Sequence, residues 1–184
     1  MESEKREIHK AERKYLPEFV YGGIDGAVTT FAVVAGAVGA SLSAGIILIL
    51  GFANLFADGF SMAVSNYLST KSQVDLHYGH KDYKQKVKEA KHPVKAGLAT
   101  FFSFFIVGLI PLLSFVLAYF FGGLNSNKFV YSFILTGIAL FFVGLIKGEV
   151  VRKHPFKAAM ETLIIGGIAA LLAFLAGYLL RGLR

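Results

Sequence analysis

Two aspartates lie inside long apolar stretches of the chain. Asp25 lies within residues 19–42 and Asp58 within residues 44–68, and no other charged residue occurs in either stretch. Both stretches are long enough to cross the hydrocarbon core of a bilayer. An ionised carboxylate at that depth costs about 2.5–3.5 kcal/mol on insertion scales, so it usually faces a partner, a bundle interior or a water-filled path. The two aspartates therefore predict a path for a cation or a proton.

The helix face that carries Asp25 is small and partly polar. Positions i, i+4, i+7 and i+11 share one face of a helix. From Asp25 these positions are Thr29, Ala32 and Gly36, and the aspartate is flanked by Gly22 and Gly26. One interpretation is a closely packed helix that lines a polar path. The other is a tight helix–helix contact through small residues, with the aspartate satisfied by a neighbour.

The second stretch places three possible metal ligands on one helix face. Asn54, Asp58 and Met62 follow one another at four-residue spacing, with Ser61 and Ser65 close by. Oxygen ligands combined with one thioether suit Fe²⁺ better than Mg²⁺ or Ca²⁺. The competing interpretation is that Met62 only fills space in an apolar core, which is the common role of methionine.

The polar linker at residues 71–95 is a weaker candidate for metal binding. Histidines three residues apart can share a metal ion. The candidate ligands are His77, His80, Asp75 and Glu89. The same linker carries seven lysines, which repel cations and favour a solvated loop at the membrane surface.

Two glutamates flank the last polar turn. Glu149 ends the fourth apolar run and Glu161 lies just inside the fifth. They form either a vestibule that attracts cations or structural ion pairs, for which Lys147 is a candidate partner of Glu161.

The composition identifies the elements that must position these residues. The 184 residues are 55% hydrophobic and only 17% charged, whereas soluble domains carry about 25% charged residues. Apolar runs of membrane-spanning length occupy residues 19–42, 44–68, 96–121, 129–146 and 156–180. We therefore predict an all-α membrane protein with a bundle of five transmembrane helices at 19–184, preceded by a surface arm at 1–18 that ends at Pro17.

The basic residues predict the orientation. Sixteen of the 19 lysines and arginines lie in the arm, in the linker at 71–95 or at residues 147–157. The exceptions are Lys128, Arg181 and Arg184. By the positive-inside rule the N-terminus is cytoplasmic and the C-terminus is outside or lumenal. This distribution explains the pI of about 9.6 by contact with the bilayer surface, without nucleic acid.

No catalytic set is recognisable. The chain has no cysteine, and its glycine-rich stretches lack the GK[ST] ending of a nucleotide-binding loop. It also lacks the HExxH pattern, and all five histidines fall outside the apolar runs. The prediction is that the protein is not an enzyme and holds no permanent cofactor.

Several segments resemble the vacuolar iron transporter family. Residues 25–37 (DGAVTTFAVVAGA) and 57–72 (ADGFSMAVSNYLSTKS) resemble the family's signatures in its first two helices. Residues 92–113 resemble its third helix, and residues 145–167 (LIKGEVVRKHPFKAAMETLIIGG) its last two. The resemblance covers nearly the whole chain in order.

The resemblance implies a function. Members are five-helix proteins, usually homodimers with a path at the interface. They export Fe²⁺, often Mn²⁺, from the cytosol, in exchange for protons. Asp25 matches the family's intramembrane aspartate, and Met62 matches its pore methionine. The membrane would be the cell (inner) membrane of a prokaryote or the vacuolar membrane of a eukaryote.

The chain departs from the family in two places. Asn54 stands where better-known members carry a glutamate, and Asp58 stands where they usually carry a small residue. The long glutamate-rich cytoplasmic domain between helices two and three is reduced to the linker, in which Glu89 is the only glutamate. The alternative functions are a manganese or broad-range divalent cation transporter, and a non-transporting scaffold or regulatory subunit.

Overall fold

The computed structural model describes residues 2–76, 78, 87, 90–121 and 128–183. Within these residues the chain forms helices and no strand. The helices are α1 (Glu2–Gly39), α2 (Ala44–Asp75), α3 (Pro93–Gly108), α4 (Ile110–Phe121), α5 (Lys128–Val150) and α6 (Pro155–Leu180), followed by a short 3₁₀ turn (Arg181–Leu183). Five helical segments are long and apolar enough to cross a membrane, with α3 and α4 together forming the third. The prediction of an all-α, five-span membrane protein is confirmed.

Helix α1 lies at the centre of the bundle. It packs against α3, α6, α5 and α2. Ala27, Thr30 and Val34 on this helix are fully buried. By contrast, only 11% of the apolar window of α6 is buried, against 50% for α1. The middle of α1 is therefore surrounded by protein, whereas most of α6 faces outward.

Glycines let α1 approach its neighbours closely. A Cβ at Gly22 would lie 2.6 Å from the carbonyl oxygen of Thr100 on α3, and a Cβ at Gly26 would overlap the backbone of Phe104. On the other flank, a Cβ at Gly177 of α6 would overlap the carbonyl of Gly36. Small residues at such contacts allow the backbones of membrane helices to touch.

The predicted N-terminal arm is helical and continuous with the first span, because α1 continues through Pro17. A proline inside a helix removes one backbone hydrogen bond and usually kinks or breaks the helix. Contacts with the segment before α3 support this part of α1. Lys14 Nζ donates to the Ala90 carbonyl at 2.7 Å, and the backbone N–H of His92 donates to the Tyr15 hydroxyl at 3.0 Å.

The third span is divided, although the sequence predicts one continuous run. Helix α3 ends at Gly108 and α4 begins at Ile110, directly before Pro111. The break follows from the proline, which cannot donate a backbone hydrogen bond. The carbonyl of Pro111 accepts a hydrogen bond of 2.6 Å from Ser132 Oγ on α5, which fixes the position of the break. Pro93 and Pro155, by contrast, each open a helix, as predicted.

Candidate functional site

Polar side chains of α1 and α2 form one line between the two helices, which run antiparallel after the short turn at residues 40–43. Each set follows the three- and four-residue spacing of a single helix face. We call this set the polar line, and its members are Glu18, Tyr21, Asp25 and Thr29 on α1 and Asn54, Asp58, Met62 and Ser65 on α2. Eleven residues of helix rise by about 16 Å. The polar line therefore spans roughly half of a hydrocarbon core of about 30 Å.

At one end of the polar line the two helices are joined by hydrogen bonds. Thr29 Oγ1 donates to the Asp25 carbonyl at 2.8 Å. Asn54 Nδ2 donates to Thr29 Oγ1 at 3.5 Å and to Thr30 Oγ1 at 3.3 Å. Because the amide nitrogen is used in this way, the Asn54 Oδ1 atom is left to accept a hydrogen bond or to bind a cation.

The two intramembrane carboxylates both lie in the middle part of the polar line. Asp25 and Asp58 are partly buried and lie close enough for their charges to repel each other. Among the described residues neither carboxylate forms an ion pair or accepts a hydrogen bond from another side chain. Two unpaired negative charges at membrane depth are unfavourable, so this level attracts positive charge.

Beyond the aspartates α1 and α2 line a groove of about 470 Å³. It lies toward the side of the bundle where α2 ends and α3 begins, which we call the linker side. The groove is lined by Pro17, Glu18 and Tyr21 of α1 and by Ser61, Met62, Ser65, Asn66 and Ser69 of α2. Met62 also packs against the apolar core cluster around Leu55 and Phe104. Both interpretations of this methionine are therefore compatible with its position.

Glu18 is a groove residue that the sequence reasoning missed. Its side chain is buried, with 9% of the residue exposed. Its Oε1 accepts a hydrogen bond of 2.6 Å from Lys91 Nζ, whereas Oε2 has no partner among the described residues. The available signal was its position seven residues before Asp25, which places both carboxylates on one helix face. Glu18 was not considered as a site residue because it was assigned to the surface arm.

The small residues near Asp25 occupy two different environments. Thr29 lies on the polar line. Gly22 and Gly26 face α3, and Gly36 lies against Ala173 of α6. The structure therefore places these three glycines at helix contacts and leaves the polar line to the larger side chains.

The other predicted sites are not assembled in the described part of the chain. Glu161 pairs with Lys147 at 3.5 Å, and Glu149 lines a separate pocket beside Arg152. Asp75 is exposed at the end of α2. The remaining linker candidates, His77, His80 and Glu89, lie outside the described residues. Within the described ranges, no three His, Asp or Glu side chains come together as a metal cluster.

Five helices that are long and apolar enough to cross a membrane, two of which carry an aspartate within the span, define an integral membrane protein. Comparison with known proteins identifies the class more closely. The chain belongs to the VIT family, whose model matches residues 16–87 and 78–178. The resemblance seen in the sequence is thereby confirmed.

Individual relatives support the same assignment. The chain is 30% identical to the "Vacuolar iron transporter" of Plasmodium berghei over 95% of this chain and 85% of that protein. It is 28% identical to the protein of the same name from Plasmodium falciparum, with the same coverage. It is 26% identical to "Vacuolar iron transporter 1" of rice, Oryza sativa subsp. japonica, over 91% of this chain and 86% of that protein. The first alignment spans 233 positions, so that relative carries tens of residues that this chain of 184 residues lacks.

Proposed function

We propose that this protein exports Fe²⁺ from the cytosol in exchange for protons, as a homodimer with the polar line at its interface. The observation that carries the proposal is the pair of carboxylates, Asp25 and Asp58, which lie within electrostatic range of each other and have no basic partner among the described residues. A divalent cation between them would compensate both charges.

The ligand types on the polar line favour a transition metal. Asp25 and Asp58 offer carboxylate oxygens, Asn54 offers an amide oxygen and Met62 offers a thioether. A divalent ion gives up hydration water only where charged or polar ligands replace it. One sulfur among oxygens favours Fe²⁺ over Mg²⁺ and Ca²⁺. The names of the relatives, which include iron, agree with this choice.

Proton exchange follows from the same charges. When the metal ion leaves, Asp25 and Asp58 again repel each other in a medium that solvates ions poorly. Binding of protons removes that repulsion, as it does for paired carboxylates in general. Metal and protons therefore compete for the same oxygens, which is the requirement for antiport.

The distribution of basic residues supports transport of the metal out of the cytosol. It assigns the linker side to the cytosol, and the groove beside Met62 lies toward that side. Metal ions would thus enter the groove from the cytosol and reach the aspartates from there.

Flux in proteoliposomes that contain an internal pH dye tests this function. Inward-directed Fe²⁺ gradients should drive metal uptake together with proton release from the vesicles. Metal uptake without a pH change would contradict the exchange, and the absence of any metal-dependent flux would favour a scaffold role.

A stripe of small residues on α2 supports the homodimer. It follows strict four-residue spacing and shares Ser65 with the polar line. All its members are exposed in the single chain, namely Ala53, Ala57, Ser61, Ser65 and Ser69. Small residues at this spacing are typical of close contacts between membrane helices. A second copy seated on the end of this stripe at Ala53 and Ala57 would cover the exposed flank of Asp58, and the serines would line the path that the two copies enclose.

We expect Ala57→Phe to disrupt the dimer, because the larger ring would hold the two α2 helices apart. Light scattering on the detergent-solubilised protein should show a shift from dimer to monomer, and metal flux should fall with it. Ala176→Phe, at an exposed position on α6, is the matched control and should leave the mass unchanged. A dimer that survives Ala57→Phe would place the interface elsewhere.

We expect Met62→Leu to weaken the preference for Fe²⁺. The exchange conserves volume, so its packing cost is below about 1.5 kcal/mol, but it removes the sulfur ligand. Competition between Fe²⁺ and Mn²⁺ in the flux assay should show a loss of Fe²⁺ selectivity with Mn²⁺ flux retained. Met160→Leu on the exposed side of α6 is the control. Unaltered selectivity would show that Met62 is a packing residue and not a metal ligand. A wild-type protein that carries Fe²⁺ and Mn²⁺ equally well would instead favour the broad-range transporter.

A further inference from the structure

The carboxylate of Glu18 is only half satisfied. This side chain lies at the linker side of the groove and is nine-tenths buried. One of its oxygens binds Lys91, and the other is buried without a partner among the described residues. A buried carboxylate normally has both oxygens occupied by donors or cations. The position of Glu18 therefore provides for a ligand in addition to the lysine.

The backbone around Lys91 is fixed, whereas its side chain can leave Glu18. The residues on both sides are tied to α1, because the Ala90 carbonyl accepts from Lys14 and the His92 N–H donates to Tyr15. The side chain of Lys91, by contrast, is 32% exposed, against 10% for that of Glu18. The ammonium group can thus turn into water while the glutamate stays in the groove.

The groove wall opposite Glu18 supplies further ligands for a cation. Three serines at four-residue spacing on α2 line it, together with the thioether of Met62. The serines are Ser61, Ser65 and Ser69, and all three are exposed. Hydroxyl and carboxylate oxygens suit divalent cations, which bind six or more such ligands. A doubly charged ion also interacts about twice as strongly with a carboxylate as an ammonium group does at the same distance.

We propose that Glu18 is the site at which a divalent cation loads onto the polar line, and that Lys91 is a built-in counter-cation that the metal displaces. The lysine keeps the buried glutamate paired when metal is scarce, and loading requires enough metal to replace it. The inference rests on the proposed function, because it assigns the first binding step of the same route. Met62 then lies between this loading site and the aspartates.

The first test measures whether metal releases the lysine. The purified protein in detergent is treated with a small amine-reactive ester, with and without Mn²⁺, at constant ionic strength. Mass spectrometry should show faster labelling of Lys91 in the presence of Mn²⁺. Lys95, which is exposed in the same region, should be labelled at an unchanged rate.

The second test measures transport of Mn²⁺ by proteoliposomes. Lys91→Met should lower KM roughly tenfold, which corresponds to about 1.4 kcal/mol. Glu18→Gln should raise KM, and the double variant should behave like Glu18→Gln, because the lysine then has nothing to compete for. Lys95→Met is the matched control. A merely structural ion pair would instead lower stability and maximal rate in Lys91→Met and leave KM unchanged.

The outcomes separate this inference from the transport function. If Mn²⁺ flux is intact but the labelling rate of Lys91 does not change with Mn²⁺, the loading site is overturned and the transport function is not. Absent flux with labelling that rises with Mn²⁺ overturns transport and supports the loading site. If Glu18→Gln fails to fold, the labelling of the wild-type protein and the KM of Lys91→Met still test whether Glu18 is a loading site.

Discussion

Asp25→Asn should strongly reduce metal transport while the protein still inserts and folds. The side chain keeps its shape and loses its charge, so the metal ion loses a charged ligand at the depth where dehydration is most costly. We expect flux in proteoliposomes to fall roughly tenfold or more, since one decade of rate corresponds to about 1.4 kcal/mol of barrier. Size-exclusion chromatography verifies that the variant remains folded.

Two further substitutions sharpen this prediction. Asp58→Asn removes the second charge of the pair and should also suppress flux, and the double variant should lose little more, because both residues act on the same ion. Asp75→Asn changes an exposed aspartate at the end of α2 and should leave transport intact. Wild-type flux in Asp25→Asn would remove the basis of the proposed mechanism.

The spans could be predicted from the sequence because they depend on composition. Long apolar runs with few charges indicate where the chain crosses a bilayer, and the structure places helices at all five. The prolines were harder to interpret. Pro93 and Pro155 open helices, as the N1 preference predicts, whereas Pro17 lies within α1. The local conformational preference of proline is the same at these three positions. Only the tertiary contacts of Lys14 and Tyr15 distinguish Pro17 from the other two.

The candidate site was predictable only in part, because helical spacing describes one helix at a time. The spacing placed Asn54, Asp58 and Met62 on one face of α2, and the structure keeps them together. It did not reveal that this face meets Asp25 and Thr29 across an antiparallel contact. The partner of Glu18 was also inaccessible, because Lys91 is 73 residues away in the chain.

The structure also explains how polar residues can persist at the centre of the bundle. The hydrogen bonds of Asn54 and the tight contacts of α1 with α3 hold one side of the polar line rigidly. The other side opens into the groove around Met62 and ends at Glu18. Three carboxylates thus follow one another along the route, and only the outermost, Glu18, has a basic partner among the described residues.

The tight contact between α1 and α3 leads to the prediction with the largest effect on stability. We expect Gly26→Ala to destabilise the protein strongly, because the new Cβ would overlap the backbone of Phe104. A backbone cannot move aside as a side chain does, so the two helices must separate. Overpacking of this kind costs about 1–3 kcal/mol, occasionally more. Thermal unfolding in detergent should show a clear drop in Tm.

Two other glycines serve as controls for this substitution. Gly137→Ala makes the same chemical change on α5, where no atom lies within 4 Å of the new Cβ. It should keep or raise Tm, because alanine favours a helix over glycine by up to about 1 kcal/mol. Gly177→Ala would overlap the carbonyl of Gly36, at a contact between α1 and α6 away from the polar line. It should lower Tm as Gly26→Ala does.

Comparison of these variants separates packing from transport. The folded fraction of the Gly177→Ala variant should transport metal at the wild-type rate per molecule, since Asp25 and its neighbours are not moved. Gly26→Ala should lose rate as well as stability, because its displacement acts next to Asp25. Equal rates per folded molecule in both variants would show that the position of the aspartate does not depend on the α1–α3 contact. An unchanged Tm in Gly26→Ala would show that the two backbones do not touch.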